Sequence, residues 1–345
     1  MKQKVLYFYP NEASYVNKDL AIIGKKYEII KYRVEPSQVA LLPIRMLYQL
    51  YLCIRYFRIK YIICQFAGYH SFIPMLIGKL SPAKTVVVLG GSDCASFPEI
   101  DYGNYRKPVL GLFTTKSIQL ADIISPVHEK MIHADYHYEN FKRQTQGFKA
   151  FTGEVKGRIE VIYNGFVTDK FKDLKLERNT GFVCIAAYNR PTVFYLKGID
   201  LLTKAAEHFP EIPFTIIGVD AAFMSQKRPQ NLTYLPFMPQ EDLVEVLNKH
   251  RFYCQLSISE GFPNALGEAM LCGCVPLVSE VGSMPAIIGD TGFVLSKYDE
   301  NLLFEKITEM LAAPNLTQLS ENARNRILQN FTIQQREDAL LALLS

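Results

Sequence analysis

At 345 residues the chain is long enough for two globular domains, and with 49% hydrophobic residues and no low-complexity tract it is neither disordered nor fibrous. Its net charge of +4 is unevenly spread: residues 1–165 hold 22 Lys/Arg against 13 Asp/Glu, +9, and residues 166–345 hold 16 against 21, −5. A basic first half suggests a partner that touches mainly that half, yet the surplus is too thin for a nucleic-acid surface.

Met1-Lys-Gln-Lys-Val-Leu-Tyr-Phe-Tyr-Pro10 reads as a first strand and a turn, without the apolar core or cleavage site of a signal peptide. No apolar run reaches membrane-spanning length; the best candidate is cut by Arg45, Arg55 and Arg58. The seven cysteines are scattered singly, apart from Cys272-Gly-Cys274, which lacks zinc-site spacing. They read as reduced, buried thiols of a cytosolic protein.

Strand-like runs recur in the first half at Val5–Tyr9, Tyr27–Val34, Tyr61–Gln65, Thr85–Leu89, Ile123–Ser125 and Ile159–Tyr163. Helical stretches at about 14–25, 38–58, 72–79, 108–121 and 128–149 separate them. Such alternation predicts a parallel, doubly wound α/β sheet, with ligands bound beyond the strands' carboxyl ends. That rule puts Pro10–Ser14, Phe66–Ser71, Gly90–Ser96 and Pro126–Lys130 on one wall. The glycines of Gly90-Gly91-Ser92-Asp93 can admit a ligand close to the backbone, or simply make a β–α turn. His70 and His128, on the same edge, read either as acceptor or donor-sugar contacts or as ordinary loop histidines. His133-Ala-Asp-Tyr-His137 has i,i+4 spacing on an expected helix, but no catalytic Glu follows His133, so a metal site is the weaker reading.

Leu41–Lys60 is aromatic, aliphatic and purely basic. A helix of this kind can lie on an anionic membrane, or pack into the core and leave its arginines in water; the second is the commoner case.

The second half opens with the small apolar strand Phe182-Val-Cys-Ile-Ala-Ala. Arg190 and Lys197 flank the strand-to-helix connection that follows, where paired cations can neutralise a leaving diphosphate. Strands at Phe214–Gly218 and Thr233–Phe237 and a helix at 240–249 come next. The run Phe252–Ile258 then reads as a buried parallel strand, and a helix from Asn264 to Leu271 stops at Gly273. This places Glu260 on the loop at the strand's carboxyl end and Glu268 one to two turns into the helix. Between them lie the unpaired N–H groups of the helix N-terminus, near residues 262–265, where the dipole attracts phosphate. Two carboxylates around a phosphate cradle suit a ligand with hydroxyls on both sides of a diphosphate, as in a nucleotide sugar. A late strand at Thr291–Leu295 and helices near 299–312, 316–330 and 332–345 end the chain.

The string Glu260-Gly-Phe-Pro-Asn-Ala-Leu-Gly-Glu268-Ala-Met, with Ser257 three places ahead, resembles the Glu-x7-Glu signature of family 4 (GT4-like) retaining glycosyltransferases with the GT-B fold. The segment Val161-Ile-Tyr-Asn164-Gly165-Phe-Val-Thr-Asp-Lys-Phe171 is similar to the family's entry into the interdomain hinge, and a Gly-Ser-Asp is common at the place of Gly91–Asp93.

The resemblance implies two Rossmann-like domains with parallel sheets facing each other across a cleft: residues 1–165 for the acceptor and 166–330 for the donor. The last helix, 331–345, would pack back on the first domain. It further implies that Glu260 holds the donor sugar and Glu268 the ribose, that Gly261, Phe262, Pro263, Asn264 and Ala265 cradle the diphosphate, and that Lys197 and Arg190 offset its charge. Phe237 and Met238 fall in the base-binding loop. In one respect the chain departs from the family: the loop after the first strand, Pro10-Asn-Glu-Ala-Ser-Tyr15, lacks the Gly-Gly that lies near the donor phosphate in many members.

The implied activity is retaining transfer of a sugar from a UDP- or GDP-sugar to an acceptor hydroxyl, in bacterial cell-surface polysaccharide or lipid-linked glycan synthesis. A nucleotide-sugar 2-epimerase of the same fold and a non-catalytic nucleotide-sugar-binding subunit are the alternatives. The sequence has no Asp-x-Asp, so we expect no metal and no cofactor. The expected partners are a nucleotide sugar and a glycan or lipid-linked acceptor, with peripheral membrane contact through the basic first half. The expected location is cytoplasmic, at the inner face of the membrane.

Overall fold

A computed structural model describes residues 2–35 and 39–345. The chain divides into two compact units: residues 1–135, 143–164 and 334–345 form one, and residues 136–142 and 165–333 the other.

In the first unit the order is β1 (Lys4–Tyr9), α1 (Ser14–Lys26), β2 (Glu28–Arg33), α2 (Leu42–Arg55), β3 (Tyr61–Gln65), α3 (Tyr69–Leu80), β4 (Lys84–Leu89), α4 (Pro108–Leu120) and β5 (Ile123–Pro126). Short pieces follow: β6 (Ala134–Asp135), β7 (Thr145–Gln146), α5 (Lys149–Thr152) and β8 (Arg158–Ile159). The main sheet is parallel, in the order β2-β1-β3-β4-β5-β8. Its central strands are apolar except near their ends, at Lys4, Gln65, Lys84 and Thr85, because both faces are covered. The strand order reverses direction after β2, so right-handed crossovers put α1 on one face and α2, α3 and α4 on the other.

The second unit runs β9 (Asn179–Tyr188), α6 (Pro191–Leu196), α7 (Ile199–His208), β10 (Phe214–Val219), β11 (Leu232–Leu235), α8 (Gln240–Lys249), β12 (His250–Gln255), α9 (Asn264–Leu271), β13 (Val275–Ser279), α10 (Met284–Ile288), β14 (Phe293–Leu295), α11 (Glu300–Ala312) and α12 (Leu316–Asn330). Its sheet is also parallel, in the order β11-β10-β9-β12-β13-β14. The last helix, α13 (Ile333–Leu343), belongs almost wholly to the first unit. There Arg336, 4% exposed, grips Asp19 of α1 with two bonds of 2.7 Å and donates to the carbonyls of Ile162 (3.1 Å) and Tyr163 (2.8 Å). A buried guanidinium tolerates this only because its donors are matched.

Three expectations fail. The strand expected at Ile159–Tyr163 is only the two-residue β8, Arg158–Ile159. The second helix, expected from residue 38, is a 3₁₀ turn at Val39–Leu41 followed by α2; residue 38 itself lies outside the described residues. The helix expected at 128–149 does not form. In its place are a 3₁₀ turn at Glu129–Met131, the antiparallel pair β6–β7 and the four-residue α5. The pairing of His133 and His137 goes with it, because in extended chain residues i and i+4 lie about 13 Å apart instead of one helical turn. Residues 136–142 group with the second unit: Tyr136 Oη donates to Ile258 O (3.1 Å), Tyr298 N to Tyr138 O (2.7 Å), and Tyr195 Oη to Glu139 Oε2 (2.8 Å). Pairing with distant residues has overridden local helical spacing.

His70 is placed in the first turn of α3, 3% exposed, with Nε2 2.8 Å from Gln65 O, while its own carbonyl accepts from Gln49 Nε2 of α2 at 2.7 Å. Burial pushes its pKa down to about 4. A histidine held below its unfolded value of about 6.5 takes up a proton more readily once unfolded. Its contribution is therefore complete above pH 6.5 and is lost as pH falls toward 4. At pH 5 the loss amounts to about 2 kcal/mol. We expect the denaturant midpoint of His70→Gln to fall less than that of the wild-type chain between pH 7 and pH 5; equal falls would show that His70 is not held neutral.

Candidate functional site

In the second unit, β12 and the loop after it place a chain of polar groups at the carboxyl edge of an otherwise apolar sheet. Phe252, Tyr253, Cys254 and Leu256 are fully buried, and Phe252 stacks on Phe182 of β9 at 4.7 Å. Within this apolar run Gln255 is 3% exposed and Ser257 fully buried. Both turn to Glu260. Gln255 Nε2 donates to Glu260 Oε1 at 2.8 Å and Ser257 Oγ at 2.7 Å, and Lys197 Nζ reaches the same oxygen at 2.5 Å. Tyr253 Oη in turn donates to Gln255 Oε1 at 2.9 Å, fixing the amide orientation. Three donors thus hold Oε1, while Oε2 has no hydrogen bond among the described residues. The carboxylate is anchored by one oxygen and presents the other.

Lys197 owes its position to the connection between α6 and α7. It caps the end of α6, and Gly198 follows in the left-handed region at φ 65°. A Cβ on Gly198 would sit 2.3 Å from Leu256 O, so only glycine lets this turn lie against the β12 loop. Ile258 N donates to Leu196 O at 2.9 Å across the same junction. The Lys197 and Glu260 side chains are 26% and 12% exposed, so the ion pair keeps one side open to a ligand.

Gly261, Phe262 and Pro263 are buried and lead into α9. Pro263 is the N-cap, and no side chain caps the helix. Asn264 and Ala265 are partly exposed in the first turn, and Asn264 Oδ1 is buried with no hydrogen-bond partner among the described residues. Phe262 packs between Phe166 (6.1 Å) and Phe331 (5.5 Å), which fixes the approach to the helix. Glu268, partly exposed, lies on α9 one turn after Asn264. An uncapped positive helix end between two carboxylates is an arrangement that can receive an anion bearing hydroxyl groups.

The remaining candidates of this unit are less constrained. Arg190 is exposed at the N-cap of α6, one short helix away from Lys197, and makes no ion pair among the described residues. Phe237 is 88% exposed and Met238 partly exposed, in the loop between β11 and α8.

In the first unit the candidates serve the fold. Asp93 is fully buried and accepts the backbone N–H groups of Gly90 (3.1 Å), Gly91 (2.9 Å) and Ala67 (3.1 Å), tying the loops after β3 and β4 together. Burial pushes its carboxyl upward against those donors. A Cβ on Gly90 would lie 2.2 Å from Phe66 Cε1, so the close approach is made by this ring. His128, 5% exposed, accepts from Lys130 N at 3.1 Å through Nδ1, with Nε2 3.4 Å from Glu129 Oε2. Each histidine thus has backbone or side-chain partners within its own unit.

Gln255 was missed as a site residue, and Ser257 was noted only as part of a motif. The available signal was a pair of polar residues two apart in an apolar buried run, where each needs a partner.

Residues 185–326 match the family model of glycosyl transferases group 1. The chain is 25% identical over 166 residues to the phosphatidylinositol N-acetylglucosaminyltransferase gpi3 subunit of Schizosaccharomyces pombe, an alignment covering 45% of the chain and 36% of that protein. It is 25% identical over 220 residues to a D-inositol 3-phosphate glycosyltransferase of Mycobacterium sp. (strain KMS), covering 54% and 49%. The alignments thus span less than half of these relatives' own length. In fold, the chain is similar to sucrose-phosphate synthase from Thermosynechococcus elongatus (TM-score 0.74, 14% identity, 99% of this chain and 98% of that one). It is also similar to Anabaena HepE in complex with UDP-glucose (TM-score 0.69, 13% identity, 99% of each). The two parallel six-stranded sheets have the GT-B fold of these structures.

Proposed function

We propose that the chain moves a sugar from a nucleotide diphosphate sugar to an acceptor hydroxyl, with retention at the anomeric carbon. The observation that carries this reading is the anchoring of Glu260 by Lys197, Gln255 and Ser257 beside the uncapped N-terminus of α9. In this reading Oε2 of Glu260 accepts from hydroxyls of the donor sugar. Glu268 accepts from the ribose, and the N–H groups near Gly261–Ala265 hold the diphosphate. Phe237 and Met238 border the base. Departure of the diphosphate is the difficult step: the bond from the anomeric carbon to the phosphate oxygen breaks and the electron pair leaves with the phosphate. Lys197, with Arg190 swinging in from its exposed position, offsets that growing charge. The acceptor oxygen forms the new bond and its hydroxyl proton is released.

The names of the relatives favour a lipid-linked or surface-glycan acceptor, since they include a phosphatidylinositol N-acetylglucosaminyltransferase subunit and an O-antigen chain mannosyltransferase of Escherichia coli. Uracil is the first base to try, as a UDP-sugar, because the HepE structure holds UDP-glucose. On this reading the first unit binds the acceptor, and the reaction runs at the inner face of the cell membrane.

A hydrolysis screen of UDP-, GDP- and ADP-sugars tests the activity. Release of free sugar from one donor is expected, and turnover to an epimeric nucleotide sugar without acceptor would replace transfer by epimerisation. With the active donor, Lys197→Ala should lower kcat about 100- to 1,000-fold, the loss of one charge-stabilising contact of about 2.7–4 kcal/mol. Wild-type rates in that variant and in Glu260→Gln would show that these two groups do not carry the reaction, and no turnover of any donor by the wild-type chain would mean that it only binds. Transfer should also survive EDTA; its abolition by EDTA and return with Mn²⁺ would overturn the metal-independent mechanism.

A further inference from the structure

The exposed large apolar side chains are concentrated on one layer. On α2, Ile44 and Leu47 are each 65% exposed, Ile54 59%, Tyr51 51% and Tyr48 47%. The buried positions of the same helix are Leu42, Gln49, Leu52 and Cys53. The helix therefore offers its sheet-facing side a thin stripe and turns a wider apolar and aromatic face to water, the reverse of an ordinary surface helix. The neighbouring helices of this layer continue the face: Leu80 at the end of α3 is 69% exposed, and Val109 and Leu112 of α4 are 59% and 56%. A monomer rarely leaves so much contiguous apolar surface without an occupant.

Charge tells which occupant. From residue 39 to residue 92 there is no Asp or Glu, against six Lys or Arg, and α4 has Lys116 and no acid. The cations cluster where α2 ends. Arg55, Arg58 and Lys60 are exposed and, with Lys4 and Tyr56, line a pocket of about 360 Å³. Of these cations only Lys4 has a carboxylate partner among the described residues, Glu28 at 3.4 Å. Lys84 extends the basic rim along the amino ends of the strands, where Lys79 is paired with Asp122 at 2.5 Å. An apolar helical face with aromatic side chains and an edge in net surplus of cations matches the boundary of an anionic bilayer, with acyl chains against the face and phosphates against the edge. No helix among the described residues is long and apolar enough to cross a membrane, so the contact is peripheral.

We propose that the first unit docks on anionic membranes through the outward face of α2, continued by α3 and α4, and that the pocket at Arg55, Arg58 and Lys60 takes a lipid phosphate. This proposal deepens the membrane location proposed above and does not rest on the transfer chemistry of the second unit: either can fail while the other holds. Flotation of the full chain with vesicles of phosphatidylcholine plus phosphatidylglycerol, against phosphatidylcholine alone, tests it. The chain should float with the mixed vesicles and at least about tenfold less with the neutral ones, and added salt should weaken the binding. Leu47→Glu combined with Ile54→Glu should lose about tenfold in binding through the apolar face. Leu80→Glu, on a different helix, should weaken it independently. Arg55→Ala with Arg58→Ala should lose the preference for anionic lipid. These side chains are exposed, so thermal melting should be unchanged. A wild-type chain that stays with the dense fractions overturns the proposal. So does light scattering that shows a dimer which Leu47→Glu with Ile54→Glu dissolves, because a second copy would then be the occupant.

Discussion

The second unit depends on one carboxylate oxygen. Glu260 Oε1 receives a lysine, an amide and a hydroxyl within 2.8 Å, and each donor is itself fixed by the element that carries it. Gln255 is the last residue of β12 and takes its orientation from Tyr253, and Ser257 is buried just beyond with its carbonyl held by Ser279 Oγ at 2.6 Å. Lys197 is delivered by a turn that only Gly198 can make. Such an assembly is costly to leave half-satisfied in a low-dielectric edge, which gives the site a single geometry before any ligand arrives. Preorganisation of this kind is what charge stabilisation in a reaction requires.

The same polar restraint is used differently in the first unit. Asp93 and His70 spend their hydrogen bonds on backbone groups of the β3 and β4 loops, and Arg336 spends its own on Asp19 and two carbonyls. These groups define the shape of the carboxyl edge while leaving few polar atoms for chemistry. On the outer helical layer of this unit, by contrast, apolar and basic side chains face solvent.

Much of the architecture was legible because parallel strands buried on both faces are apolar runs, and the connections between them carry strong punctuation. The bounds of α9 could be read from Pro263 and Gly273, and β1, β3 and β4 fall within a residue of the expected runs. The segment 128–149 was not legible. Its fold is set by Tyr136, Tyr138 and Glu139, whose partners are Ile258, Tyr298 and Tyr195, more than fifty residues away, and local spacing holds no record of them. The loop histidines show the same limit: a position near a strand end fixes the edge but not whether the ring turns inward. In the candidate site, the places of Glu260 beyond β12 and of Glu268 on α9 were legible from the strand and helix signals, while the Lys197–Glu260 ion pair appears only in the fold. Gln255 escaped notice because its role appears only when β12 is aligned with Glu260.

In the proposed mode the second unit holds a nucleoside diphosphate between Glu260 and Glu268, and a crystal structure of the chain soaked with UDP is the decisive measurement. The phosphates should lie against the backbone of Gly261–Ala265, with Lys197 nearby and the ribose hydroxyls on Glu268. Ordered nucleotide bound elsewhere, with this helix end left to solvent, would contradict it.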